Sequence, residues 1–342
     1  MTTDQCIKCG GCEQSCPVVC VEGIQSFSGP RTLAVDGPRF SVEINRLRDH
    51  IMKCTTCWKC EEVCPSRIDL PQAILEIRKV MFDPLKMLPG HRRIVENVDR
   101  FRMSIEPEGG APPAPAGERG EVMYFPGCIS RERIPSIYRG TVSTLEKVGT
   151  DFGVPKGWVC CGAPLEKVGD RDRMESLVEE NLRTFEGFET IVTSCPGCTT
   201  QLFNHYGVEP LHTIEYLYES VGLNKLSFRH AGDIKVAFHQ PCHLSRTIGR
   251  HAMDYALALL QEVPGLEVLE LENADMCCGG GGGVVAGHPD VALDLANEKM
   301  SSFSDSGADL LLAPCPFCVL NLERAGGSSV REFVTFLEAF LE

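Results

Sequence analysis

The sequence contains no apolar run approaching the roughly 18 residues that a helix needs to cross a bilayer. It also has no excess of positive charge, since 33 Lys and Arg stand against 47 Asp and Glu, a net charge of −14. That balance leaves no basic surface for nucleic acid. We also expect no secretory leader, because Cys6 and Cys9 occupy the stretch where it would lie. We therefore expect a cytoplasmic protein, with any membrane association coming through a partner subunit.

Nucleotide-binding patterns are absent too. The glycines at 279–283 are not followed by the Lys-Ser/Thr pair of a phosphate-binding loop, and no dinucleotide fingerprint occurs. Nothing in the sequence indicates a bound flavin.

Cysteine, in contrast, is abundant. Nineteen cysteines occur in 342 residues, nine of them in 1–103 and ten in 121–342. A chain of this length does not need disulfides to replace a hydrophobic core, so the clustered thiols indicate metal ligands in a reducing compartment. Between the two groups, residues 104–120 are rich in Pro, Gly and Ala, which predicts an extended, solvated linker.

The N-terminal cysteines form two runs of Cys-x2-Cys-x2-Cys-x3-Cys-Pro, the spacing of bacterial two-cluster ferredoxins. In that arrangement the fourth cysteine of each run ligates the other run's cluster. The spacing therefore predicts one cubane [4Fe–4S] cluster on Cys6, Cys9, Cys12 and Cys64 and another on Cys54, Cys57, Cys60 and Cys16. Zinc, which also binds paired CxxC motifs, is the alternative metal.

A helix is expected directly after the second run. Asp69 is placed to cap it and Pro71 falls in its first turn. Ile74, Leu75, Ile77, Val80 and Met81 are expected to share one buried face of this helix. The sequence thus predicts a mainly helical ferredoxin-type domain over 1–103.

Residues 121–342 are an internal duplication, which predicts two domains at 121–232 and 233–342. The matching segments are VMYFPGC (122–128) with VAFHQPC (236–242), VCCG (159–162) with MCCG (276–279), and IVTSCPGC (191–198) with LLAPCPFC (311–318). Short β-rich runs alternate with amphipathic helices, so we expect a small, mostly parallel α/β sheet in each copy, with the cysteine loops at the carboxyl ends of its strands. The fold class is therefore α+β and multidomain.

Each copy carries five cysteines, one more than a cubane cluster needs. They are Cys128, Cys160, Cys161, Cys195 and Cys198 in the first copy and Cys242, Cys277, Cys278, Cys315 and Cys318 in the second. The surplus suggests an unusual cluster in which a thiolate bridges two irons. The glycines that follow the Cys-Cys pairs, Gly162 in the first copy and Gly279 to Gly283 in the second, are expected to let the backbone approach that cluster.

A thioredoxin-type dithiol is the alternative for Cys195-Pro-Gly-Cys198 and Cys315-Pro-Phe-Cys318. Cluster ligation, however, accounts for 18 of the 19 thiols and leaves no free dithiol. The remaining Cys20 is expected to pack beside a cluster.

These motifs resemble the cysteine-rich Cys-Cys-Gly domains of heterodisulfide reductases. They are also similar to the iron–sulfur subunits of anaerobic glycerol-3-phosphate, glycolate and lactate dehydrogenases and of thiol:fumarate reductase. The resemblance implies that each five-cysteine set binds a noncubane [4Fe–4S] cluster and that a disulfide of the coenzyme M–coenzyme B type, used in methanogenesis, is reduced between the two clusters.

The same resemblance implies a redox complex with a flavoprotein or membrane cytochrome subunit as partner. One alternative is a noncatalytic electron-transfer subunit of a flavin-dependent glycerol-3-phosphate, glycolate or lactate dehydrogenase. Another is the thiol-oxidising subunit of a thiol:fumarate reductase.

Several other side chains near the cysteines are candidates for a role. His239 and His243 flank Cys242 and are expected either to be structural or to hydrogen-bond a cluster and protonate a departing thiolate. Arg131, Arg246 and Arg250 are either solvated or placed to meet an anionic substrate. Trp58, between two cysteines, is expected to shield a cluster.

Overall fold

The computed structural model describes residues 3–40, 43–108 and 117–342. The N-terminal region is mainly helical, as predicted. Its α-helices are α1 Gly11–Gln14, α2 Pro17–Ser26, α3 Gly29–Arg31, α4 Gly37–Arg39, α5 Arg48–Lys53, α6 Lys59–Glu62, α7 Leu70–Val80 and α8 Pro89–Phe101. A π-helical turn covers Thr32–Asp36, and short 3-10 turns cover Thr3–Gln5, Ile44–Leu47 and Pro84–Lys86.

Helix α7 begins as the sequence predicted. The Asp69 side chain accepts a hydrogen bond from the Gln72 amide at 2.9 Å, and Pro71 lies in the first turn. Ile74 is fully buried, but Val80 is 78% exposed, so its assignment to the buried face was wrong. Six residues turn a helix by about 600°, so Val80 lies about 120° around the helix axis from Ile74, outside the buried face.

Each copy of the duplication contains a four-stranded parallel sheet, as expected. The first sheet has the order β2-β1-β3-β4 and the second the order β6-β5-β7-β8. The strands are β1 Val122–Phe125, β2 Phe152–Gly153, β3 Thr190–Thr193, β4 Leu211–His212, β5 Ile234–Phe238, β6 Leu266–Leu269, β7 Leu310–Ala313 and β8 Val330–Glu332. Strands β2, β4 and β8 were not predicted, because two or three residues are too few to show an alternating pattern.

Helices connect the strands and carry the cysteine loops. In the first copy they are α9 Cys128–Glu132, α10 Pro135–Lys147, α11 Ala163–Val168, α12 Arg171–Leu182, α13 Pro196–His205 and α14 Thr213–Glu215. In the second they are α15 His251–Gln261, α16 Val284–Gly287, α17 Pro289–Ser306, α18 Pro316–Gly326 and α19 Phe333–Glu338. The remaining turns are π-helical at Tyr216–Val221 and His243–Ile248 and 3-10 at Leu223–Lys225 and Gly327–Ser329. The cysteine loops follow the strands, as expected for α/β sites.

The two copies pack against each other reciprocally. Helix α9 of the first copy contacts α18 of the second, and the π-helical turn His243–Ile248 of the second copy contacts α13 of the first. The C-terminal helix α19 also crosses to pack on α10. Buried residues of both sheets, among them Phe125 and Phe238, belong to one hydrophobic core. The equivalent cysteine loops are thereby brought together between the two copies.

The structure disagrees with the prediction of a linker over 104–120 at the first two residues of that range. Residues 109–116 lie outside the described part, but Ser104 is buried and its hydroxyl lies 3.3 Å from the Cys128 sulfur. Ile105 faces the same space between the copies. A solvated linker from residue 104 onward was therefore wrong for these two residues, whose side chains pack against the first cysteine loop. Among the described helices, none is both long and apolar enough to cross a membrane.

Candidate functional site: thiols grouped around shared cavities

The first group of thiols lies near the surface of the N-terminal region. Cys6, Cys9, Cys12 and Cys64 line one small cavity, together with Gly10 and Pro65. This is the combination that the cross-ligation pattern predicted, with Cys64 arriving from the second run. The Cys9 side chain is exposed, so a cluster held here would lie within reach of an external redox partner.

The second group is buried deeper. Cys16, Cys54 and Cys60 are buried in a hydrophobic cluster, which Cys12 of the first group also joins. Burial raises the pKa of Cys16 and of Cys60 well above that of an ordinary thiol, and the neighbouring Cys57 raises both further. Such thiols stay protonated in the absence of a cation, whereas bound iron would stabilise their thiolates. The donor set therefore fits a metal cluster.

The largest concentration of sulfur lies between the two copies, in a cavity of about 230 Å³ that we call the inner cavity. Four thiols reach it from each copy. They are Cys128, Cys161, Cys195 and Cys198 from the first and Cys242, Cys278, Cys315 and Cys318 from the second. The two cysteine-rich loops of the duplication thus face one common space.

Sulfur atoms within each copy are close without being bonded. Cys128 and Cys160 are 3.9 Å apart, and Cys278 and Cys318 are 3.1 Å apart. All nineteen cysteines are free thiols. Close, buried and unbonded sulfurs fit the donor set of an iron–sulfur cluster in each copy.

His239 lies behind the second of these groups. Its ring offers a nitrogen within 4.8 Å of the Cys278 and Cys318 sulfurs, and neither ring nitrogen has a hydrogen-bond partner among the described residues. Phe125 occupies the equivalent position of the first copy. Burial, reinforced by Lys299, lowers the pKa of His239 well below that of an ordinary histidine. Burial thus favours the neutral form of this imidazole, which can hydrogen-bond to a neighbouring sulfur.

His243 lines the inner cavity itself. Its Nε2 lies 3.2 Å from the Thr56 carbonyl oxygen, and its ring meets the edge of Trp58 at a centroid distance of 5.5 Å. Burial and the nearby Lys167 lower the pKa of His243 to about 4. A neutral ring at this position orients the loop of the N-terminal region against the second copy.

Gly162 and Gly279 do not belong to the described lining of the inner cavity. Their φ angles are +90° and +81°, and a Cβ on Gly279 would lie 2.6 Å from the Ala292 carbonyl oxygen. These glycines therefore form tight turns that lie against α12, through Met174, and against α17, through Ala292. Gly280–Gly283, which were also expected to let the backbone approach a cluster, do line the cavity.

The arginines expected near an anionic substrate have other contacts. Arg246 pairs with Glu62 at 2.9 Å and with Asp275 at 2.7 Å, and Lys59 also pairs with Asp275 at 2.7 Å. Arg131 lies over the Trp158 ring, 5.5 Å from its centroid. Arg246 therefore ties the N-terminal region to the second copy and does not line the inner cavity.

Beside that ion-pair network, the N-terminal thiols touch the second copy. Cys57 packs with Cys242 and Cys277 in a buried cluster, and its sulfur is within hydrogen-bonding reach of Cys277. Cys20, by contrast, is exposed, so the expectation that it packs beside a cluster was wrong.

Two residues at the centre of the molecule were missed by sequence reasoning. Arg78 is fully buried and donates hydrogen bonds to four backbone carbonyls, those of Ile51, Cys54, Lys167 and Gly282, at 2.7 to 2.8 Å. Lys167 lines the inner cavity. In the sequence Arg78 looks like an ordinary basic residue near a helix end, so no signal marked it. Lys167 follows Cys-Cys-Gly by five residues, which was the available clue.

Comparisons with known proteins agree with this arrangement. A family profile described as a cysteine-rich domain matches residues 122–203 and 236–323, and one described as a 4Fe-4S dicluster domain matches 2–68. A fumarate reductase (CoM/CoB) subunit of Methanothermobacter marburgensis is 32% identical over 335 residues, which cover 93% of this chain and 67% of that protein. This chain thus spans about two thirds of the length of that relative.

A second relative matches over most of its own length. A dihydromethanophenazine:CoB–CoM heterodisulfide reductase subunit of Methanosarcina acetivorans is 25% identical, with 94% of this chain and 88% of that protein covered. A crystal structure of a hypothetical protein from Helicobacter pylori has the same fold, with a TM-score of 0.57 at 10% identity, covering 91% of this chain and 67% of that one.

Proposed function

Because the chain belongs to the family of iron–sulfur proteins in which a 4Fe-4S dicluster domain precedes two cysteine-rich domains, we propose that it reduces a small disulfide in the inner cavity. One observation carries this proposal, namely that a single cavity is lined by four thiols from each copy. Two sulfur-rich sites that face one space suit a substrate with two sulfurs to be separated.

Four clusters are proposed. Bound clusters of this kind would supply single electrons, which a disulfide needs in pairs. The ligand sets are Cys6, Cys9, Cys12 and Cys64; Cys16, Cys54, Cys57 and Cys60; Cys128, Cys160, Cys161, Cys195 and Cys198; and Cys242, Cys277, Cys278, Cys315 and Cys318. The first two sets suit cubane clusters and the five-thiol sets suit noncubane ones.

The chain's own residues support entry of electrons through the N-terminal region. Exposed Cys9 lies at the surface, and Cys57 at the other end of the region contacts Cys277 of the second copy. The ion pairs of Lys59, Glu62, Arg246 and Asp275 hold this contact in place. The second copy therefore lies next to the N-terminal thiols.

The substrate that we propose is a disulfide of the coenzyme M–coenzyme B type. The lining of the inner cavity is largely apolar beside its thiols, with Ile94, Ile129, Val285 and Phe317 among its residues. Such a lining excludes water from the reacting sulfurs and accommodates aliphatic chains. The names of the relatives, which mention CoM and CoB, support the same choice.

The reverse reaction is the second candidate. The Methanothermobacter marburgensis relative is named a fumarate reductase (CoM/CoB) subunit, which favours oxidation of two thiols in the same cavity, with electrons leaving through the N-terminal region. Other subunits of a redox complex are expected in both cases. A flavoprotein that copurifies and reduces fumarate would select this direction, and a cytochrome or other electron donor would select disulfide reduction.

The test uses the anaerobically purified full chain with its clusters. Reduced viologen and the mixed disulfide of coenzyme M and coenzyme B are supplied, and thiol release is measured. We expect turnover by the wild type and by Cys20→Ser, and none by Cys161→Ser or Cys278→Ser. Absence of turnover in a wild-type sample that contains about sixteen irons per chain would refute the proposal.

A further inference from the structure

Two spaces approach each other at Glu166 and Lys167, in helix α11. Lys167 lines the inner cavity. On the other side lies an open cleft of about 540 Å³ between α7 and α12, which we call the outer cleft, and its lining includes Glu166 and His205. Adjacent residues of one short helix therefore face two different spaces.

A continuous chain of polar contacts joins these spaces. His205 Nε2 lies 2.9 Å from Glu166 Oε1, and Glu166 Oε2 lies 2.6 Å from Lys167 Nζ. The exposed fraction of the side chain falls from 29% at His205 to 17% at Glu166 and 9% at Lys167. The chain thus runs from solvent to the buried cavity in two hydrogen-bonded steps.

The Glu166 carboxylate lies between two basic side chains, those of Lys167 and His205. Burial disfavours the Glu166 carboxylate, but Lys167 and His205 outweigh it and hold the pKa of Glu166 at about 2. Among the described residues that line the inner cavity, Lys167 is the one lysine, and no arginine, aspartate or glutamate accompanies it. Its ammonium group is therefore the one basic side-chain group of that described lining apart from the His243 imidazole.

Comparison of the two copies separates this triad from cluster binding. Counted from the Cys-Cys-Gly motif, the second copy has Gly283 and Val284 where the first has Glu166 and Lys167. Counted from the last cysteine, it has Ala325 where the first has His205. Both copies retain all five cysteines, so a cysteine-rich site does not need the triad. The presence of the triad in the first copy therefore needs an explanation other than cluster binding.

We propose that Lys167 protonates the thiolates formed in the inner cavity and that His205 and Glu166 return protons to it from water in the outer cleft. The inference rests on the proposed disulfide reduction. One sulfur–sulfur bond breaks, two electrons arrive from the external one-electron donor through the N-terminal region, and two protons form two S–H bonds. Each proton leaves the Lys167 ammonium, and the neutral amine regains one through the Glu166 carboxyl group from the His205 imidazolium.

Two contacts with the N-terminal region hold Lys167 in position for this role. Its carbonyl oxygen accepts a hydrogen bond from Arg78 at 2.8 Å, and its ammonium group lies over the Trp58 ring, 5.5 Å from the centroid. Both contacts come from the N-terminal region. The residues that hold the proton donor therefore belong to the same region through which electrons are proposed to enter.

The experiment compares Lys167→Met, Glu166→Gln and His205→Gln with the wild type in the viologen and mixed-disulfide assay. Lys79→Met, which removes a lysine from the outer cleft but not from the triad, is the matched control. We expect kcat to fall about 100-fold or more in Lys167→Met with little change in KM. We expect a smaller fall in His205→Gln that added imidazole partly restores, and a wild-type rate in Lys79→Met.

Readouts other than activity complete the test. Iron content and cluster reduction potentials should match the wild type in every variant, and the solvent deuterium isotope effect on kcat should be larger in His205→Gln. Wild-type rates in Lys167→Met and His205→Gln would overturn the relay, as would a raised KM at constant kcat, which would show that Lys167 binds substrate charge. Lost iron in the variants would show a structural triad and also overturn it. An inactive wild type with full iron would instead refute the proposed function.

Discussion

Arg78 donates a hydrogen bond to the Gly282 carbonyl oxygen at 2.8 Å, across the boundary between the N-terminal region and the second copy. The same nitrogen also donates to the Lys167 carbonyl of the first copy at 2.8 Å. One guanidinium therefore joins all three cysteine-containing parts of the chain. A planar group with five N–H donors is the side chain that suits such a junction.

Replacing Arg78 should loosen this junction. Arg78→Met leaves four buried carbonyls without their donor, and each unsatisfied group costs about 1–3 kcal/mol. We expect the apparent melting temperature of the anaerobic protein to fall by roughly 5 °C or more. Exposed Arg139→Met, in α10, is the control and should melt with the wild type. Equal melting of the two variants would contradict the role of Arg78.

Cross-ligation by Cys64 can be tested by spectroscopy. Because Cys64 shares a cavity with Cys6, Cys9 and Cys12, Cys64→Ala should alter the same paramagnetic resonance signal as Cys9→Ala. It should leave the signal that Cys60→Ala alters. Cys20→Ala, at an exposed thiol, should retain all its iron. If the Cys64→Ala spectrum instead matches that of Cys60→Ala, the two ligand sets must be reassigned.

The turn after the second Cys-Cys pair depends on glycine for two reasons. Gly279 has a φ of +81°, and an added Cβ would clash with the Ala292 carbonyl. Gly187 has a φ of +90° but open space around it. Gly187→Ala therefore introduces backbone strain without a clash, and it serves as the control for Gly279→Ala. Gly187→Ala should cost about 1–2 kcal/mol and keep its iron. Gly279→Ala should lose about four irons per chain, and equal iron in both variants would show that the clash is relieved.

A buried carboxyl group makes stability depend on pH. Burial raises the pKa of Glu332 to about 7, although the Thr335 amide and hydroxyl donate to it. Between about pH 4.5 and 7 the folded chain thus keeps a proton that the unfolded chain has lost, and stability falls as pH rises through this window.

Glu332→Gln should remove that loss. The amide still accepts from Thr335 and carries no charge, so the variant should be more stable than the wild type at pH 8, by on the order of 2 kcal/mol, and similar to it near pH 5. Melting temperatures at both pH values measure the difference. Glu209→Gln, at an exposed position, is the control and should melt with the wild type at each pH. If Glu332→Gln also melted with the wild type at both pH values, the role of the buried carboxyl group would be contradicted.

Local patterns in the sequence were sufficient for much of the architecture. The duplication, the alternation of strands and helices in each copy and the Asp69 cap of α7 all follow from residue spacing over short distances. These features depend on hydrogen bonds and side-chain periodicity within one segment, so they are legible without the rest of the chain. The two wrong assignments also came from reasoning over short segments. Val80 was misplaced by the helical rotation, and Ser104 was assigned to a linker because its neighbours are Pro and Gly.

The meeting of distant segments was decided by tertiary packing alone. The sequence indicated Arg246 as a candidate contact for an anionic substrate, but in the structure Arg246 pairs with Glu62 and Asp275. It gave no sign that Arg78 would bridge three regions or that His205, Glu166 and Lys167 would form one chain of contacts. Cysteine spacing determined which atoms are available as metal ligands, because ligand chemistry is a property of the residue. Only the packing of the two copies decided that their thiols share one cavity, because hydrophobic burial, which drives that packing, is non-directional and leaves no local motif.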